Sequence, residues 1–187
     1  MSSYRLSVRA AGRAEMLIYG DIGSGWVEDG VTASRVAADL KAVGKVSTLD
    51  VRINSYGGDV FEGLAIYRQI ANFDASVNVF VDGVAASAAS IIAMAGNKIE
   101  IAQAGFLMIH DAWTFAAGNA DELRATAERL DATSEAMASI YSARTKKSST
   151  QCRDLMRVET WMTAQEAVDN GFADSIAPNM AIAAKAD

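Results

Sequence analysis

Three features of this chain could do nucleophilic chemistry together: a serine among very small side chains, a lone histidine, and a pair of glycines. The serine is Ser87, in Gly83-Val84-Ala85-Ala86-Ser87-Ala88-Ala89-Ser90. Residues 77–81 before it are β-branched and aromatic, the composition of a buried strand. Residues 91–96 after it turn to Ala, Ile and Met, which favour helix. A serine at a strand-to-helix turn can expose its hydroxyl and aim the following amide outward. That is the geometry of a nucleophile elbow, although the G-x-S-x-G spelling is absent. Taken alone, the stretch reads rather as a tight packing turn whose serine caps a helix.

The histidine is His110, the only one in the chain, at the end of the apolar run 106–109. If this is a Ser-His enzyme, only His110 can be the base; otherwise it is a structural residue at a strand end. The glycines are Gly57 and Gly58, in Asn54-Ser55-Tyr56-Gly57-Gly58-Asp59-Val60. Without a Cβ to block the approach, their amides could face an oxyanion or a phosphate, or simply make a turn.

Strands and helices must bring these residues together. Residues 16–20 read as a strand, followed by a loop with Gly20, Gly23, Gly25 and Gly30. Val36, Ala37, Leu40 and Val43 fall at helical spacing, and 49–54 alternates as a strand. A helix over 62–73, the 77–81 strand, the serine turn with its helix, and strands at 99–101 and 106–109 complete a β-α-β-α-β-α-β-β pattern. Helices between strands predict an α/β fold with a largely parallel sheet. The first fifteen residues, with Arg5, Arg9 and Arg13 among small side chains, read as a mobile arm, and 178–187 as a frayed tail.

The second half is dominated by one helix. Asn119 with Glu122 makes a capping box, and the pattern continues to about residue 145. Leu123, Ala127, Leu130, Ser134, Met137 and Tyr141 form a narrow seam. The seam could pack on its own domain or on a second copy. Its length, unusual for a domain helix, favours self-association. Ser148 with Gln151 and Thr163 with Glu166 offer two further caps, and Asn170-Gly171 a stop.

Composition narrows the function classes. The chain has 187 residues, 51% hydrophobic and 21% charged, which predicts one folded domain, here 16–177. A net charge of −6 argues against nucleic-acid binding. The single cysteine, Cys152, excludes an internal disulfide and a cysteine-rich metal site, and no apolar run reaches membrane-spanning length. With no apolar signal core at the N-terminus, a cytoplasmic location is expected.

Taken together, the three elements resemble the proteolytic subunit of the Clp protease family. The matching stretches are Ile53-Asn54-Ser55-Tyr56-Gly57-Gly58, Gly83-Val84-Ala85-Ala86-Ser87, Met108-Ile109-His110 and Trp161-Met162-Thr163-Ala164-Gln165-Glu166-Ala167-Val168. Gly171-Phe172-Ala173-Asp174 fits the end of the last one. The spelling at 81–90 and at 159–164 is similar to Clp-related head-maturation proteases of phages and prophages, which would place the protein in a host cytoplasm. The resemblance implies a crotonase-like spiral of ββα units with a long handle helix at about 119–145. It also implies a heptameric ring or stacked rings, a polypeptide substrate, no metal or cofactor, and an AAA+ unfoldase as a candidate partner.

Carried over residue by residue, Ser87 is the nucleophile, His110 the base, and the Gly58 and Ala88 amides, with Gly57 beside them, the oxyanion site. Ser90, one helical turn further on, is the rival nucleophile. Three departures stand out. The usual third member is Asp, whereas Glu159 occupies the place, so its longer side chain needs a backbone adjustment to reach His110; Asp111 and Asp154 are alternatives. Val158 replaces an arginine that couples ring contacts to the site. Tyr56 replaces a proline, and a counterpart of the axial loops is not evident. Two other classes share the fold: a crotonase-like acyl-CoA hydratase or isomerase, and a non-catalytic scaffold.

Overall fold

The computed structural model describes residues 4–9, 12–24 and 30–178. The N-terminal stretch read as an arm is a strand instead. Tyr4–Val8 (β1) pairs antiparallel with Arg13–Ile18 (β2), from Tyr4↔Ile18 to Val8↔Ala14. Tyr4 is buried, with the Arg35 guanidinium 4.8 Å from its ring centroid. The arginines that suggested a solvated arm face acids on the sheet: Arg5 and Arg9 pair with Glu15, and Arg13 with Asp50 at 2.6 Å. Residues 1–3 and 10–11, the 25–29 part of the glycine loop and 179–187 of the tail lie outside the described residues.

The remaining strands are Thr48–Ser55 (β3), Ser76–Ala86 (β4), Lys98–Ala102 (β5), Phe106–Ile109 (β6), Thr160–Thr163 (β7) and Ser175–Ala177 (β8). They form one eight-stranded sheet in the order β1-β2-β3-β4-β5-β8, with β6 on β4 and β7 on β6. All pairings are parallel except β1–β2 and β6–β7. Leu49, Val51 and Ile53 of β3 and Val77, Val79 and Val81 of β4 fill one face and belong to the core. The intervening Asp50, Arg52, Asn78 and Asp82 lie on the other face, where Arg52 pairs with Asp82 and Asn78 Nδ2 donates to Asp50 at 2.9 Å. Alternation in a parallel sheet thus marks a one-sided core, with charge pairs satisfying the second face.

Helices Ala33–Val43 (α1), Val60–Ala71 (α2) and Ala88–Ala93 (α3) supply the covering layer through Val36, Leu40, Ile66, Ile70, Ile91 and Ile92. The predicted caps are all present. Asn119 with Glu122 opens Ala120–Thr145 (α4), Ser148 with Gln151 opens Ser149–Arg157 (α5), and Thr163 with Glu166 opens Ala164–Asp169 (α6). The hydrogen bonds from Thr163 hold the Glu166 carboxyl below its ordinary range.

The α4 seam divides in two. Ser134, Met137 and Tyr141 are buried against the domain, whereas Leu123 and Ala127 are exposed and Leu130 is half-buried. Only the second half of the helix is covered by its own chain. No helix of the described residues is long and apolar enough to cross a membrane.

Candidate active site

The site depends on how β4 changes partners. Its first part, Asn78 to Val81, pairs with β5, and its last part, Val84 to Ala86, pairs with β6. Ala86 aligns with Met108, and Ser87 N–H donates to Met108 O at 3.0 Å. The two strands therefore end within one residue of each other, β4 leading to Ser87 and β6 to His110. On the other side of β6, Ile109 pairs with Thr160 of antiparallel β7. Extending that ladder by one step sets His110 opposite Glu159.

The side chains follow. Ser87 Oγ lies 2.8 Å from His110 Nε2, and His110 Nδ1 lies 3.5 Å from Glu159 Oε2. The first contact is hydrogen-bond length; the second exceeds the usual N–H···O range and orients the ring through charge more than through a formed bond. A carboxylate on the Nδ1 side favours the tautomer with Nδ1 protonated and Nε2 free to accept from Ser87. Two backbone positions make this possible. Ser87 has φ +53° and ψ −126°, a conformation seldom adopted by a non-glycine residue, which lifts its hydroxyl off the strand-to-helix turn. Glu159 also has a positive φ, +48°.

Gly57 lies against the serine, and Gly58 beside it lies against Ile22. A Cβ on Gly57 would stand 2.7 Å from Ser87 Cβ and 2.9 Å from Ala88 N; one on Gly58 would stand 2.2 Å from Ile22 O. Both have positive φ, +100° and +143°. The loop is tied down on both sides: Ile22 N–H donates to Gly57 O at 2.8 Å, Asp59 N–H donates to Ile22 O at 2.9 Å, and Ser55 Oγ accepts from Gly57 N–H at 3.1 Å. This rigid backbone borders a cleft of about 760 Å³ lined by Tyr56, Gly58, Ser87, Met108, His110 and Trp113.

The structure separates the rivals from this constellation. Ser90 is fully buried; its Oγ donates to Ser87 O at 2.7 Å and meets the Tyr141 hydroxyl at 2.8 Å. Burial pushes the Tyr141 phenol well above its ordinary range, so it stays a donor. Ser90→Ala should therefore cost stability, about 1–2 kcal/mol for the lost bonds, and leave kcat within about twofold. Denaturant midpoints and peptide hydrolysis measured side by side check this. Asp111 is paired with Arg153 at 2.5 Å, and Asp154 with Arg157 at 3.0 Å. Arg153 is itself buried and also reaches Asp131 and Glu135, joining α5 to α4 and to the segment after His110. Val158 is exposed at the C-cap of α5, and Tyr56 is exposed at the cleft rim. One contact was not predicted: the Trp161 indole Nε1–H donates to Glu159 Oε1 at 3.2 Å.

The Clp protease family profile matches residues 14–180, nearly the whole chain. The chain belongs to the Clp protease family. Its mixed sheet and long α4 are the fold of that family. It is 33% identical over 160 residues to the ATP-dependent Clp protease proteolytic subunit of Ligilactobacillus salivarius, covering 83% of this chain and 81% of that one. The subunit of the same name from Streptococcus agalactiae is 31% identical over 163 residues, covering 83% of each chain. That of Bacteroides fragilis is 29% identical over 153 residues, 79% of this chain and 74% of the relative. These names point to a peptidase.

Proposed function

We propose that this Clp-family chain is a serine endopeptidase that cleaves unfolded or flexible polypeptide inside an oligomeric chamber. The observation that carries the reading is the 2.8 Å contact between Ser87 Oγ and His110 Nε2 at the mouth of a cleft bordered by glycine backbone. Ser87 Oγ attacks the scissile carbonyl carbon as His110 Nε2 takes its proton. The amides of Gly58 and Ala88 receive the oxyanion. His110 then returns the proton to the leaving amine, and water repeats the sequence on the acyl-serine. Glu159 holds the imidazole and stabilises its charged form.

Assembly is supported by the uncovered first half of α4, where Leu123 is 43% exposed on a helix roughly 39 Å long at 1.5 Å per residue. We read this as the surface that joins copies into a ring or stacked rings. Work with an AAA+ unfoldase and processing of a phage prohead or scaffold protein in a host cytoplasm are further proposals. They differ in how substrate is delivered, not in the chemistry. A crotonase-like hydratase would need a free acid beside the oxyanion amides. The acids there are engaged: Asp59 caps α2 through the Phe61 and Glu62 amides, and Glu62 accepts from Ala33 N–H.

A fluorophosphonate probe tests the reading on the assembled protein. Labelling should fall on Ser87 and disappear with His110→Ala; labelling elsewhere, or none, sinks it. Glu159→Gln should lower kcat about tenfold to a hundredfold, less than for a fully buried triad acid, because this one is partly solvated. Unchanged kinetics would remove Glu159 from the catalytic set.

A further inference from the structure

We infer that Trp161 is a positioning residue: its indole N–H holds the Glu159 carboxylate in the orientation that faces His110. The inference rests on the serine-peptidase reading above. Glu159 uses a different oxygen for each neighbour, Oε1 accepting from Trp161 Nε1 at 3.2 Å and Oε2 facing His110 Nδ1 at 3.5 Å. These are its side chain's polar partners among the described residues.

Such a clamp answers a specific problem. The Glu159 side chain is 56% exposed, and a glutamate has three side-chain torsions, so water competes for the carboxylate and most rotamers point it away from the ring. A second hydrogen bond on the far oxygen selects the rotamer that leaves Oε2 toward Nδ1. The backbone that carries the donor is fixed in the sheet, while Trp161 itself is 46% exposed. Trp161 sits on β7 in register with Met108, on the strand that leads to His110, and Thr160 Oγ1 donates to Leu155 O at 2.6 Å where β7 begins. Trp161 thus lies in the β6–β7 ladder and His110 one residue past its end, and the carboxylate of the positive-φ Glu159 spans them. Phe at 161 would keep the aromatic ring and remove only the donor.

The test is steady-state hydrolysis of a fluorogenic peptide by assembled W161F, alone and combined with Glu159→Ala. W161F should lower kcat about fivefold, as for loss of one hydrogen bond to a partly solvated charged group, with KM changed less than about twofold. In the Glu159→Ala background it should cost nothing more, since the carboxylate it positions is gone. An unchanged kcat, a loss confined to KM, or the same fold loss in both backgrounds would overturn the inference. If W161F fails to assemble, W161Y, which displaces the donor from the indole position, enters the same cycle under the same criteria. Ser87→Ala separates the two levels. Activity lost in Ser87→Ala but untouched by W161F ends this inference alone, whereas parent-like activity in Ser87→Ala ends the reading beneath it.

Discussion

Ser87→Ala should reduce peptide hydrolysis by at least about a thousandfold, because it removes the hydroxyl that His110 contacts at 2.8 Å. The neighbouring hydroxyl cannot substitute. Ser90 is fully buried, and its proton is engaged with Ser87 O. The substitution leaves the fold alone: alanine tolerates φ +53° about as well as serine does, and Ser87 makes no side-chain cap of α3. The melting temperature and the assembled mass should therefore match the parent, which makes the kinetic loss interpretable. His110→Ala should fall to a similar floor, and the double variant no lower than either, since serine and imidazole act as one unit joined at 2.8 Å. Additive losses in the double variant, or a Ser87→Ala enzyme near the parent rate, would refute the Ser–His pairing.

How much of this site could be read from the chain depended on residue type against register. His110 was legible because the chain offers no second imidazole. Ser87 was legible because very small residues flank it at a strand-to-helix change. Their meeting was not legible without the family resemblance, because it follows from β4 leaving β5 for β6, and no periodicity announces a change of partner in mid-strand. β7 went unread for a related reason: four residues, Thr160–Thr163, are too few to show alternation, yet they carry Glu159 to the ring. The strand at Tyr4–Val8 was misread because Arg5, Arg9 and Arg13 in and around it look solvated until Glu15 and Asp50 are placed beside them. Trp161 was visible as a motif residue, but its contact with Glu159 requires the tertiary placement of the carboxylate, on a residue with positive φ. The α4 seam is periodic in the sequence from Leu123 to Tyr141. Only the tertiary structure shows that its own domain covers the half around Ser134, Met137 and Tyr141.

Gly57→Ala should lower kcat by about a hundredfold or more while the chain still folds, the scale of losing an oxyanion donor. The added methyl would lie 2.7 Å from both Ala86 O and Ser87 Cβ and 2.9 Å from Ala88 N, so it enters the space between nucleophile and oxyanion amide. Backbone cannot yield there as a flexible side chain would. Ile22 N–H donates to Gly57 O, Gly57 N–H donates to Ser55 Oγ, and Ser87 N–H is tied to Met108 O. Relief must come from moving the Ser87 turn, which disturbs the 2.8 Å contact with His110. Alanine at φ +100° adds strain of about 1–3 kcal/mol. Gly44→Ala is the control that separates strain from collision. Gly44 also has a positive φ, +68°, but a Cβ there meets nothing within 4 Å, and it closes α1 away from the cleft. Both variants should melt below the parent, and only Gly57→Ala should lose its rate of hydrolysis and of fluorophosphonate labelling. Equal kcat in the two would mean that the Gly57 loop does not shape the oxyanion site.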